Sequence, residues 1–175
     1  PAEALHILRQ VETVPSELVN TVTARGRVLS QDLHSDVNLP HFNRAGMDGY
    51  AVAAEDTFGA SSTLPAYLKV AGTVEMGQEV TRRLIPREAM RISTGGMIPP
   101  GSDAVVMVEH TDETDDGVVE IYRAASPWLN VIQIGDDIRV GESVFARGRR
   151  LRAHDLGALT GIGVASVPVY RKPRV

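Results

Sequence analysis

The residues able to do chemistry fall into three stretches. In residues 40–52, Gly46 and Gly49 bracket Met47 and Asp48. Glycine on both sides lets the backbone turn sharply and leaves room for a ligand to approach the carboxylate. Asp48 therefore reads either as a ligand-facing acid or as an Asp-Gly turn residue bonded to its own backbone. In residues 91–109, Ser93 and Thr94 are followed by Gly95 and Gly96. Such a run offers hydroxyls and backbone N–H groups to an oxyanion or phosphate, or else simply ends a strand in a glycine turn. No Lys-Ser or Lys-Thr pair follows these glycines, which excludes a P-loop. Residues 135–142 carry Asp136, Asp137 and Glu142. Mg2+ takes one or two carboxylates plus substrate oxygens, a requirement this spacing meets, as does any solvated acidic turn.

Other chemistries are removed by composition. The chain has no cysteine, which excludes thiolate metal sites, thiol nucleophiles and disulfides and fits a reducing compartment, so a cytoplasmic location is expected. The five histidines show no metal-ligand spacing and no nucleophile elbow surrounds a serine, which sets aside zinc and serine hydrolases. Eighteen basic against 22 acidic residues give a net charge of -4, which argues against nucleic acid or an anionic membrane as partner. Apolar runs such as residues 104–108 stop far short of the ~20 residues of a membrane span.

The elements that must position these stretches follow from periodicity. Val, Ile and Thr make up 42 of 175 residues and only eight residues are aromatic, so an aliphatic, mainly β structure with a few short helices is expected. Ala2, Leu5, Ile7, Leu8 and Val11 recur at a helical period and predict an amphipathic N-terminal helix. Residues 17–23 read as a strand, 24–30 as a helical turn and 31–39 as a polar-apolar alternation. Strand-like runs recur at 66–74, 89–92, 103–110, 118–123 and 143–145, separated by Gly and Pro turn signals. Asp116-Gly117 predicts a hairpin in which 105–111 pairs with 118–122. Residues 153–161 read as a helix and 164–170 as a strand. The expected organisation is discontinuous, with residues 51–130 inserted between a lobe made of 1–50 and 131–175. Residues 171–175 read as an entry into more protein.

In order and spacing these stretches resemble the N-terminal region of the molybdopterin molybdenumtransferases, the family that includes the catalytic region of gephyrin. The resemblance is carried by Met47-Asp48-Gly49-Tyr50-Ala51-Val52, Arg91-Ile92, Thr94-Gly95, Asp103-Ala104-Val105-Val106-Met107, Asp137-Ile138 and Val167-Pro168-Val169. It implies an elongated, two-lobed region of an enzyme that inserts molybdate, or tungstate, into adenylylated molybdopterin in a Mg2+-dependent step and releases AMP. It implies catalytic roles for Asp48, Thr94 and Asp137, with Asp48 and Asp137 on Mg2+ and Ser93 and Gly95 contacting the substrate. It also implies a homodimer with the cleft between subunits, and the molybdopterin-adenylylating protein as a partner. The family's pterin-binding domain follows the position of Val175, so this chain alone is expected to be inactive.

Three positions depart from the family pattern. Asn43 stands where the family has Asp, Ala45 where it has Ser, and Ile132 where it has Arg. Losing a carboxylate and a guanidinium weakens an anion-and-metal cleft. A function of a different class therefore stands beside the enzyme: a non-catalytic dimerisation or scaffolding module of a diverged paralogue.

Overall fold

A computed structural model describes residues 14–173; the helix expected over residues 2–11 lies outside them. Among the described residues the first six strands are β1 (Ser16–Asn20), β2 (Leu33–His34), β3 (Arg44–Ala45), β4 (Gly49–Val52), β5 (Ala66–Thr73) and β6 (Glu88–Ile92). The remaining six are β7 (Ala104–Met107), β8 (Thr111–Glu113), β9 (Val118–Ile121), β10 (Val131–Ile132), β11 (Ser143–Phe145) and β12 (Ser166–Tyr170). One α-helix, α1 (Ala153–Gly161), separates β11 from β12. The fold is mostly β, the class expected from composition.

Two compact units divide the chain, one made of Pro1–Val37 and Arg139–Val175, the other of Asn38–Ile138. The expected boundaries after residues 50 and 130 differ from these. Residues 38–50 and 131–138 are bonded into the inserted unit, because β10 pairs with β3, Leu39 bridges Ile138 and β4 lies inside the main sheet.

That sheet has the order β7-β4-β6-β5-β9-β8. Neighbours run antiparallel except β5 and β6, which are parallel. Alternate residues of β4 serve opposite faces, as the two-residue period of a strand requires. Tyr50 and Val52 join Leu68, Ala89, Val119 and Ile121 in one core cluster. Ala51 joins Met90, Ile92 and Val105 in the other. All four residues of β4 are consequently buried, and the strand reads as an apolar run rather than an alternation.

The expected hairpin forms at its turn but with a different partner. Thr114 and Gly117 close the turn, with Gly117 at φ 77°, yet β9 pairs with β8 rather than with β7. A 3-10 turn at Val108–His110 breaks the run expected over 103–110, and β7 is instead paired with β4.

In the other unit β1 pairs with β12 and β2 with β11. Helix α1 has the bounds expected for it, and Gly163 just beyond its end adopts φ 80°, the left-handed geometry that ends many helices. The strand expected over 17–23 stops at Asn20, whose side chain accepts from Val22 N and caps a 3-10 turn at Thr21–Thr23. Ala24, Leu29, Leu151, Leu159, Val167 and Val169 form the core. Among the described residues no helix is long and apolar enough to cross a membrane.

Candidate functional site

Asp48 sits one residue before β4 and Thr94 two residues after β6. Antiparallel pairing sets Gly49 opposite Ile92 and Tyr50 opposite Arg91, so the end of one strand and the start of the other meet. No side chain fits at position 49, because a Cβ there would lie 1.9 Å from the Val106 carbonyl oxygen. The β4–β7 approach therefore depends on glycine at that point.

The segment ahead of β4 is stitched on two sides. Ala45 N donates to Gly96 O at 2.9 Å, Gly95 N donates to Ala45 O at 2.8 Å, and Gly46 N donates to Asn130 O at 2.8 Å. Asn43 Oδ1 accepts from Ile134 N at 2.9 Å. Backbone bonds thus join the first two stretches, and Gly135 N donates to Pro40 O at 3.2 Å, which ties the start of the third to the first.

Within that place Asp48 and Thr94 form a direct pair. Asp48 Oδ1 accepts from Thr94 N at 2.7 Å and from Thr94 Oγ1 at 2.9 Å. The Thr94 backbone N–H, and then its hydroxyl, hold the Asp48 carboxyl below the usual Asp value. The side chain of Asp48 is therefore bonded to a residue 46 positions away rather than to its own turn. Asp48 and Thr94 are both exposed.

The Ser93–Gly96 turn is not an open anion cradle. Thr94 N is taken by Asp48, Gly95 N by Ala45 and Gly96 N by Ser93 O. Gly95, at φ 87°, supplies the left-handed step that a turn of this kind needs. Its N–H donates across to Ala45 O. Thr94 gives its hydroxyl proton to Asp48, so Oγ1 retains only lone pairs for a further partner. Ser93 is exposed.

Asp137 belongs to the same unit but makes other contacts. Its N–H donates to Leu39 O at 2.9 Å, and its carboxylate lies 3.6 Å from Arg44 Nη2. Among the described residues no bond joins it to Asp48 or Thr94. Asp136 closes its own turn through Gln133 N. Glu142 caps Arg139 N and falls in the other unit. The acidic stretch 135–142 is thus not a carboxylate cluster, and no group of three or more His, Cys, Asp or Glu among the described residues could hold a metal by itself.

Sequence reading passed over Arg44 and the network behind the site. Among the described residues Arg44 Nε is buried without a hydrogen-bond partner; the signal for it was a lone cation in the densest stretch. Behind β4, Tyr50 OH donates to Glu113, and Arg91 binds the same carboxylate, with Nε at 2.8 Å. The Tyr50 and Arg91 donors hold Glu113 below the usual Glu value, while burial raises Tyr50. Nothing local marks Glu113 as the third member, since β8 joins the sheet only through β9.

The chain matches the family model described as the MoeA N-terminal region (domain I and II) over residues 1–163. It is 37% identical over 174 residues to molybdopterin molybdenumtransferase 2 of Mycobacterium tuberculosis, covering 99% of this chain and 41% of that protein. It is 35% identical over 173 residues to the molybdopterin molybdenumtransferase of Bacillus subtilis, covering 97% and 40%. Among solved structures, it is similar to that of the molybdopterin biosynthesis MoeA protein from Pyrococcus horikoshii. The TM-score is 0.92 at 39% identity, covering 98% of this chain and 44% of that one. The chain spans about two fifths of the length of these curated relatives.

Proposed function

This chain belongs to the MoeA N-terminal region family, and on that premise we propose that it is the N-terminal part of a molybdenum-cofactor biosynthesis enzyme. The reaction is insertion of molybdate into adenylylated molybdopterin with release of AMP. The observation that supports it most directly is the Asp48–Thr94 pair, an exposed carboxylate kept ionised by two donors from a distant strand end.

The residues present fit a Mg2+ ion of the kind completed by substrate. Such an ion keeps waters and substrate oxygens and needs only one or two carboxylates, a role open to the exposed Asp48, whose carboxyl Thr94 holds below the usual Asp value. Asp48 and Asp137 would hold it, and when bound it would neutralise the pyrophosphate charge. Thr94 keeps Asp48 charged and in one orientation, and offers its remaining lone pairs beside it. Ser93 is the neighbouring hydroxyl with a proton to give a substrate oxygen. Arg44 balances the charge of Asp137. A homodimer, a contact with the molybdopterin-adenylylating protein and a cytoplasmic location belong to the same proposal.

The test is Asp48→Asn in the full-length protein, assayed for molybdate insertion and for thermal unfolding. Loss of one electrostatic contact at a reacting centre commonly costs ~10²–10³-fold in rate, and an exposed Asp→Asn change leaves the fold intact. An unchanged rate would reduce Asp48 to a strand-end tie, whereas no insertion by the unaltered full-length protein would leave the scaffolding module as the better reading. This chain by itself, given adenylylated molybdopterin, molybdate and Mg2+, is expected to show no turnover.

A further inference from the structure

In the unit made of Pro1–Val37 and Arg139–Val175, a cavity of about 500 Å³ is lined by Arg25, Arg149, Arg150 and Arg152 together with Gly26, Leu151 and Ala153. Its arginines come from opposite ends of the chain. Gly26 N donates to Leu151 O and Leu151 N donates to Arg27 O, both at 2.8 Å, and Val28 bridges Arg150. These backbone bonds, not the side chains, hold the cationic groups beside one another.

One of the four is built in from behind. Asp155, with its side chain only 1% exposed, receives Arg149 Nη2 at 2.8 Å and Nε at 3.3 Å. The guanidinium also lies 4.3 Å over the Phe145 ring. Arg25, Arg150 and Arg152 make no ion pair among the described residues. Like charges gathered without counter-charge repel one another, and an anion placed among them relieves that repulsion.

The charge is segregated along with the fold. Eleven of the 18 Lys and Arg residues but only seven of the 22 Asp and Glu residues lie in this unit, a net +4. The inserted unit holds the other seven and fifteen, a net -8. A basic cavity in an acidic protein is not a by-product of overall composition.

We propose that this cavity is a binding site for a multiply charged phosphate chain, separate from the Asp48–Thr94 site. Guanidinium forks match phosphate oxygens bidentately. A volume of this size is in the range of small-molecule sites, roughly 300–1,000 Å³, and exceeds what a single oxoanion fills. The lining has no aromatic face on which a base or pterin ring would stack, so the recognised feature is the anionic chain.

The experiment is calorimetric titration of the chain, at low ionic strength, with inorganic tripolyphosphate, inorganic phosphate, molybdate and a Glu-rich peptide. Tripolyphosphate is expected to bind at least ~10-fold more tightly than phosphate or molybdate, because each added group pairs with a further guanidinium. Arg150→Gln combined with Arg152→Gln is expected to weaken it by ~10-fold or more, and raised salt to weaken it further. Arg25→Gln, from the other lining segment, is a second variant expected to weaken it in the same direction. All three residues are exposed, and thermal unfolding checks that the variants fold. Equal affinity for phosphate and tripolyphosphate, or unchanged binding by both variants, would overturn the proposal. So would tighter binding of the peptide, which would assign the patch to an acidic protein. Any of these results leaves the molybdate-insertion reading to its own assay.

Discussion

The two units of this chain are held together in different ways. Asn38–Ile138 has a six-stranded sheet with a core cluster on either face. Its charged pairs, such as Arg91–Glu113 and Arg82–Glu88, lie around that core. Among the described residues the other unit has two-stranded sheets, β1–β12 and β2–β11, with single bridges at Val28–Arg150 and Leu29–Val169, and a two-stranded ribbon is marginal without packing against something else. What it packs on is α1, through Leu159, and at the start of that helix sits the buried Asp155 with Arg149. The difference teaches where each unit is vulnerable: one in backbone fit within its sheet, the other in a single buried carboxylate.

The largest effect is expected where the sheet has no room. Gly49→Ala would place a methyl 1.9 Å from Val106 O, and relief requires parting β4 from β7. A destabilisation above about 3 kcal/mol is expected, since overpacking against backbone lies at the severe end of point-mutation effects. Denaturant unfolding measures it, and a near-neutral result would show that the sheet yields more easily than this contact allows.

Next in size is Asp155→Asn in the other unit. It weakens two hydrogen bonds from Arg149 and one from Arg152 N at the start of α1. A loss of about 1–2 kcal/mol is expected, charge-assisted bonds being discounted for the exposed side of Arg149. Arg149 holds the Asp155 carboxyl below its ordinary value of 3.8. Because the folded value is depressed, its contribution is fully present above the unfolded value and lost as pH falls through the folded one. Unfolding curves across acidic pH should therefore fall more steeply for the natural chain than for Asp155→Asn. Parallel curves would remove Asp155 as the acid-sensitive element.

The smallest effect is expected from Tyr50→Phe in the inserted unit. One hydroxyl leaves Glu113, which keeps Arg91. A cost of about 1 kcal/mol is expected, together with a rise of the Glu113 carboxyl towards its ordinary value of 4.5, followed by NMR titration. A cost equal to that of Asp155→Asn would erase the contrast between the units.

Part of this protein is legible in its residues because the signals are local. The bounds of α1, the strands at 66–73, 88–92 and 143–145 and the turn at Gly117 follow from apolar period and turn chemistry within a few positions. The mostly β class follows from the same signals. So do Asp48 and Thr94 as candidates, marked by glycines on their flanks. The short β2, β3 and β10 carry no such pattern, and β4 hid as a chemical motif because burial on both faces removes alternation.

Pairing is not local, and tertiary structure alone decided it. Whether the strand paired with β9 is β7 or β8 depends on β4 holding β7 at the far edge of the sheet while β5 takes one side of β9. Whether Thr94 offers its N–H to a ligand or to Asp48 depends on the register that sets Gly49 opposite Ile92. The meeting of Arg25 with Arg150 depends on backbone bonds between the two ends of the chain. Each is a choice among partners far apart in sequence, made by the free energy of closing the whole sheet or core, so no window of residues contains it.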